Sequence, residues 1–159
     1  MSLIRVVWGA ATAPTAMASY DAALAAANVH NYNLVAVSSV IPAEAAVEAV
    51  GTAPNLGPAG QRLTVVEARQ TVAPHEAECA VAGLGWAREP DGPGIFYEAS
   101  GTDRDDVTAR IEAGLEAGRE LREWSFADGG RHVVETAAAT DAYTTALVLA
   151  VYGESTPIL

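Results

Sequence analysis

The sequence predicts an α+β sandwich: two packed sheets with one helix layer on each outer side. Three observations lead there. The apolar segments follow the order strand, helix, strand, several strands, helix, two strands, which suggests a β-α-β-β unit used roughly twice. Half of the 159 residues are apolar, enough for a single domain over residues 1–159 whose core needs no staples. The last strand, Tyr143–Tyr152, carries the run Ala146–Val151, apolar on both faces, and belongs in the middle of a sheet.

In chain order, Leu3–Trp8 reads as a first strand closed by Gly9, and Pro14 leads into a helix over Thr15–Ala27. Met17, Tyr20, Leu24 and Ala27 form the apolar stripe of that helix, and Asn28 suits a left-handed cap. Asp21 lies inside the stripe. A carboxylate there sits at the margin of the buried face, bonds to nearby backbone, or turns into a pocket for a cation. Asn31–Pro42 then reads as a short, buried, β-branched strand interrupted by Ser38 and Ser39. Neighbours on a strand face opposite sides, so one of the two hydroxyls points inward. It either bonds to a carbonyl or marks a chain that cuts itself.

Ala43–Gln61, with its prolines and glycines, is expected to be a surface loop. Leu63–Gln70 alternates as a half-buried strand, and Ala77–Trp86 is a small-residue strand in which Cys79 packs as a hydrophobe. Glu89–Gly94 is a turn, and Ile95–Ala99 leaves it as a strand that ends in the Tyr97–Gly101 turn. Thr102 with Asp105 resembles a capping box for a second helix. Its inner stripe is Val107, Ile111, Leu115 and Leu121, with Gly114 and Gly118 allowing close packing. Asp128-Gly129-Gly130 turns the chain into the strand Arg131–Ala138.

Composition narrows the function. Twenty acidic residues stand against nine basic ones, a net charge of −11, and all nine are arginines. A nucleic-acid partner is excluded, because neutralising phosphates needs a basic face. Without lysine, pyridoxal phosphate cannot be held as a Schiff base, and lysine-based imine chemistry is closed. If an imine forms, its carbonyl belongs to the protein. The single Cys79 excludes an intrachain disulfide and a cysteine metal cluster, and His30, His75 and His132 lack metal-ligand spacing. No apolar run reaches the ~18 residues of a membrane span, and the start lacks signal-peptide character, so a cytoplasmic protein is expected.

Four motifs in order carry a resemblance. Tyr20–Leu24 (Tyr-Asp-Ala-Ala-Leu), Asn31–Val35 (Asn-Tyr-Asn-Leu-Val), Val37–Pro42 (Val-Ser-Ser-Val-Ile-Pro) and Tyr97–Gly101 (Tyr-Glu-Ala-Ser-Gly) resemble the pyruvoyl-dependent arginine decarboxylases over nearly the whole chain. The resemblance implies a four-layer αββα sandwich assembled as a homotrimer with sites between protomers. It implies attack of Ser39 on the Ser38 carbonyl, with Asn33 as donor to the oxyanion, and cleavage into residues 1–38 (β chain) and 39–159 (α chain). Position 39 becomes a covalent pyruvoyl group, whose ketone takes the substrate's α-amine and accepts the electrons left as carbon dioxide departs. Glu98 matches the proton donor, which calls for burial, and a Glu98→Gln chain is expected to cleave yet lose decarboxylation. Asp21 matches the residue that holds the guanidinium, and Leu24 would line its aliphatic part. The product is agmatine, a polyamine precursor. Two alternatives stay open: a pyruvoyl decarboxylase for another amino acid, and an uncleaved, non-catalytic oligomeric homologue. Ala43-Glu44-Ala45 stands where the family pattern has a Pro-Gly sequence, and Ala10 and Ala11 where polar residues are commoner.

An acidic, lysine-free surface suits a salt-loaded cytoplasm, where screening blunts carboxylate repulsion. Unfolding free energy is therefore expected to rise with potassium chloride between dilute buffer and molar salt. Denaturant titrations at several salt concentrations check this, and equal stability throughout overturns it.

Overall fold

The computed structural model describes residues 2–159. It consists of β1 (Ser2–Ala13), α1 (Ala16–Ala26), β2 (Asn33–Ala36), β3 (Val40–Ile41), β4 (Ala45–Gly51), β5 (Arg62–Val72), β6 (Cys79–Arg88), β7 (Gly94–Gly101), α2 (Arg104–Glu120), β8 (Asp128–Ala137) and β9 (Tyr143–Tyr152). One sheet runs β2-β5-β9-β1-β4 and the other β3-β7-β6-β8. They pack face to face, with α1 outside the five-stranded sheet and α2 outside the four-stranded one, the expected αββα sandwich.

The alternation of β9 shows how the layers are built. Ala146, Val148 and Ala150 meet Val66, Ala82 and Leu84 between the sheets. Leu147, Leu149 and Val151 face the other way, against Leu24 and Ala27 beneath α1. A strand covered by the second sheet on one face and by α1 on the other must be apolar on both, and this one is. A third cluster, Val81, Ile95, Ala99, Val107, Ile111 and Leu115, seats α2.

Both helices are capped by side chains. Thr15 Oγ1 accepts the Ala18 amide at 3.1 Å, and Asn28 follows the α1 C-cap at φ 60° with its amide on the Ala53 carbonyl. On α2 the cap is Asp103, which takes the amides of Asp105 and Asp106, so Thr102 does not head the helix. Gly9 does not close β1. It lies mid-strand, and its missing Cβ is what lets α1 approach, since a methyl there would collide with the Ala23 carbonyl oxygen.

Four further expectations are corrected. Residues 43–61 are not one loop, because Ala45–Gly51 pairs parallel to β1 as an edge strand. Gly129 and Gly130 lie within β8, against the carbonyl and ring of Trp86, where any side chain would clash. Leu121 is the α2 C-cap and is 82% exposed, not part of the inner stripe. On α1 the buried face is Ser19, Ala23 and Leu24, followed by Ala27 after its last turn, while Met17 and Asp21 are exposed.

The largest correction concerns Asn31–Pro42. It is not a single buried strand. β2 pairs parallel to β5 at the edge of one sheet, and β3 pairs antiparallel to β7 at the edge of the other. Ser38 and Ser39 are the crossing between the sheets, and most of the segment faces solvent.

Candidate active site

The crossing forces a tight backbone. Val37 still belongs to the first sheet, its N–H donating to the Val65 carbonyl at 3.0 Å. Two residues later the chain is in the second sheet, where the Phe96 N–H donates to the Ser39 carbonyl at 2.8 Å. Between them the Val40 N–H donates back to the Ser38 carbonyl at 2.8 Å, a three-residue turn about Ser39. The carbonyl preceding Ser39 is thus already polarised by a backbone donor.

Glu98 comes from β7, well inside the strand and not in a turn after it. Ile95 and Ala99 on that strand pack toward α2, and Phe96 faces the other sheet. β3 pairs only with Gly94 and Ile95, so β7 is open along that edge beyond Phe96. Ser39 Oγ reaches into this opening and donates to Glu98 Oε2 at 3.2 Å. Glu98 is itself exposed.

Around the pair lies a cleft of about 450 Å³, lined among others by Ser38, Ser39, Tyr97, Glu98, Gly114 and Arg122. Gly114 makes room for Tyr97, whose ring sits where a side chain on α2 would otherwise be. Arg122 is held by the Gly118 carbonyl at 2.8 Å, with its guanidinium over Trp124. A larger cleft of about 620 Å³ surrounds Arg88. That guanidinium is taken up by the carbonyls of Ala43, Ala45 and Gly92, and the cleft holds no serine, cysteine or histidine.

Tyr152 stands at the same junction. Its phenol donates to the Val40 carbonyl at 2.7 Å, and its ring meets Phe96 edge-on at 6.2 Å. Burial, followed by the nearby Glu98 charge, pushes it up to about 12. Sequence reading missed this residue. The signal was there: a tyrosine ending an otherwise apolar strand needs a partner for its hydroxyl.

The remaining candidates fall elsewhere in the fold. Asn33 heads β2, and its Nδ2 donates to the Gly60 carbonyl at 2.7 Å. Leu24 is packed into the core beneath α1. Asp21 is exposed on α1, which lies over β1 and β9 on the outer face of the five-stranded sheet. Ser39 is at the β2 edge of that sheet, on the side where the second sheet begins. A single chain therefore brings Ser38, Ser39 and Glu98 together and leaves Asp21 on a different outer layer. Among the described residues no cluster of three metal-ligating side chains occurs, and no helix is long and apolar enough to cross a membrane.

Comparison with known proteins bears on this arrangement. A family profile described as pyruvoyl-dependent arginine decarboxylase matches residues 3–157. The pyruvoyl-dependent arginine decarboxylase of Halobacterium salinarum is 51% identical over 160 residues, covering 99% of this chain and 98% of that protein. Those of Thermococcus sibiricus and Pyrococcus abyssi are each 30% identical, over 76% and 74% of this chain and 76% and 73% of theirs.

Two tyrosines make alkaline pH a probe of the fold. Burial, then the bonded Glu67 carboxylate, also pushes Tyr20 up to about 12. A folded-state value above the unfolded one favours the protonated form, so this stability is complete below the unfolded value of ~10 and drains away as pH climbs toward 12. Unfolding midpoints are expected to stay level up to about pH 10 and to fall beyond it. Tyr20→Phe and Tyr152→Phe should each flatten the fall, and a profile unchanged in both variants overturns the assignment.

Proposed function

The chain belongs to the pyruvoyl-dependent arginine decarboxylases, and from that premise we propose that it cuts itself between Ser38 and Ser39 and decarboxylates arginine to agmatine. The observation that carries the reading is the Ser39 hydroxyl on the Glu98 carboxylate, 3.2 Å apart at a polarised carbonyl.

Maturation draws on the chain's own residues. Ser39 Oγ gives its proton to Glu98 and adds to the Ser38 carbonyl carbon. Negative charge grows on an oxygen that already holds the Val40 N–H, which is where a preorganised donor is worth most. Collapse of the adduct breaks the amide and leaves an ester. Elimination across Ser39 then frees Ser38 as a carboxylate and leaves dehydroalanine, which takes up water and releases ammonia. The side chains present fit the resulting pyruvoyl group: its source serine, a carboxylate in hydrogen-bond reach, and a cleft beside them. That group supplies a ketone for the substrate's α-amine and a sink for the electrons left by carbon dioxide. Asn33, which the family pattern assigns to the oxyanion, would have to leave the Gly60 carbonyl to reach it.

Two of the chain's carboxylates then divide the work. Glu98, beside position 39, delivers a proton to the decarboxylated carbon. Asp21 receives the guanidinium, whose planar fork matches a carboxylate through two parallel hydrogen bonds. Asp21 cannot serve the Ser39 of its own protomer, because it sits on the outer face of the other sheet. The reading therefore needs a neighbouring copy, in keeping with the trimer expected of the family. What supports this is the exposed apolar side chains near the crossing: Val35, Val37, Val40, Tyr97 and Leu121. A neighbour seated there would also supply the burial that Glu98 lacks in the single protomer.

Intact mass of the purified protein tests the cut: fragments 1–38 and 39–159 are expected, the second starting with pyruvoyl, and one unbroken chain overturns the reading. Ser39→Ala should stay whole and inactive. Because Glu98 accepts the Ser39 proton, Glu98→Gln is expected to slow cleavage as well as turnover, by about 10²-fold each, contrary to the expectation that cleavage would be spared. Cleavage and turnover both at wild-type rates would remove Glu98 from the mechanism. Asp21→Asn should raise the KM for arginine by about 10- to 100-fold with less effect on kcat, as for losing a charged hydrogen-bonded pair. An unchanged KM would place guanidinium recognition elsewhere.

A further inference from the structure

We infer that Tyr152 is the anchor that holds the reactive end of the chain in position after the bond at Ser38–Ser39 has been cut, an inference that rests on the cleavage reading above. In the uncut chain residue 39 is tethered from both sides. β2 and the Val37–Val65 hydrogen bond hold the incoming chain, and β3 holds the outgoing one. After cleavage only the outgoing side remains, and it is weak. β3 is two residues long and the Val40 side chain is 45% exposed, so its start rests on one short ladder to β7 and little packing.

Two donors compensate. The Phe96 N–H holds the carbonyl of residue 39 at 2.8 Å, and the Tyr152 phenol holds the carbonyl of residue 40 at 2.7 Å. Neither carbonyl is consumed by the cut, so both bonds outlast it. They come from different sheets, Phe96 from β7 and Tyr152 from β9, and the two rings pack edge to face at 6.2 Å and 67°. The new end is thereby referenced to the rigid centre of the five-stranded sheet as well as to its own edge strand. With its titration pushed up to about 12, the phenol remains a donor throughout the neutral and mildly alkaline range. Tyr152 touches no reacting atom; it is a positioning residue that acts through the backbone of Val40.

Tyr152→Phe in the full-length protein keeps the ring and deletes the bond. Complete cleavage into two fragments is expected, with kcat for arginine about tenfold lower, as for losing one hydrogen bond that orients the reacting group. KM should stay within about twofold and the pH–kcat profile should keep its shape, since no proton transfer is removed. Unchanged kcat in the cleaved variant overturns the inference. So does loss of the alkaline limb of the profile, which would make the phenol a proton donor, and so does failure to cleave, which would place its action before the cut. If Tyr152→Phe does not fold, Phe96→Leu keeps the backbone donor to residue 39 and removes the ring that steadies Tyr152. A fall in kcat at constant KM is again expected, and unchanged kcat overturns. An uncut wild-type protein would instead sink the cleavage reading itself.

Discussion

A chain that changes sheets within two residues cannot keep its backbone in either ladder at the point of change. At Ser38–Ser39 the ladder partners are replaced by a local turn, with Val40 donating to the Ser38 carbonyl. The same geometry makes the bond dispensable. Asn33 to Ala36 stay paired with Arg62 to Val65 in one sheet, and Val40 and Ile41 with Ile95 and Gly94 in the other. No register pair of either sheet bridges the crossing. A cut inside β9 would strip pairing from β5 and β1 together. A cut at the crossing costs chain connectivity and one local hydrogen bond, which the folded state tolerates when both pieces remain buried in it.

Where the sequence was legible, one physical rule dominated. β9 was read with its bounds intact because a double-sided apolar run has few other places to go. The cap at Asn28 and the close approach at Gly114 follow from a left-handed φ and a ring against a bare backbone. Where it was not legible, tertiary partners overrode local preference. Gly9, Gly129 and Gly130 look like breakers, yet each is a glycine because a helix carbonyl, a strand carbonyl or an indole ring comes too close for a side chain. Ala45–Gly51 has too few β-branched residues to advertise a strand; its pairing with β1 makes it one. Leu34–Ile41 fitted a buried strand by composition, and nothing local reveals that its two halves serve different sheets.

The site divides in the same way. Ser38, Ser39 and Glu98 could be picked out because their residue types announce chemistry, and the fold brings Ser39 and Glu98 into contact across 59 positions. Tyr152 announces only that its hydroxyl needs a partner, and that partner, a carbonyl 112 residues away, is supplied by the fold. Asp21 stands out as a charge in an apolar stripe, of which Tyr20, Leu24 and Ala27 do pack inward while Met17 does not. The true inner face runs through Ser19 and Ala23, whose small side chains suit the tight contact with β1. Ser19 is buried without penalty because it bonds to the Ala16 carbonyl and the Thr145 hydroxyl. With the face redrawn, Asp21 points to solvent beside Met17, an apolar residue 73% exposed. In the assembly proposed above, that exposed pair would lie on the surface a second copy covers.

The charge of the molecule sharpens what such a surface must do. At a net charge of −11 a cationic substrate would be drawn toward the protein at low ionic strength. At the molar salt this composition suits, the Debye length falls to ~3 Å and that attraction ends close to the surface. Twenty carboxylates then give an arginine no direction, and any one of them exposed to brine holds a guanidinium weakly. Discrimination has to come from a carboxylate at contact distance in a site from which water and salt are excluded, where geometry and a lower dielectric restore the interaction. A single chain offers Asp21 only in the open. On the function proposed above, burying it against a neighbouring copy's crossing segment would turn one among many surface acids into a specific receptor, and substrate selection and subunit assembly would then draw on the same contact.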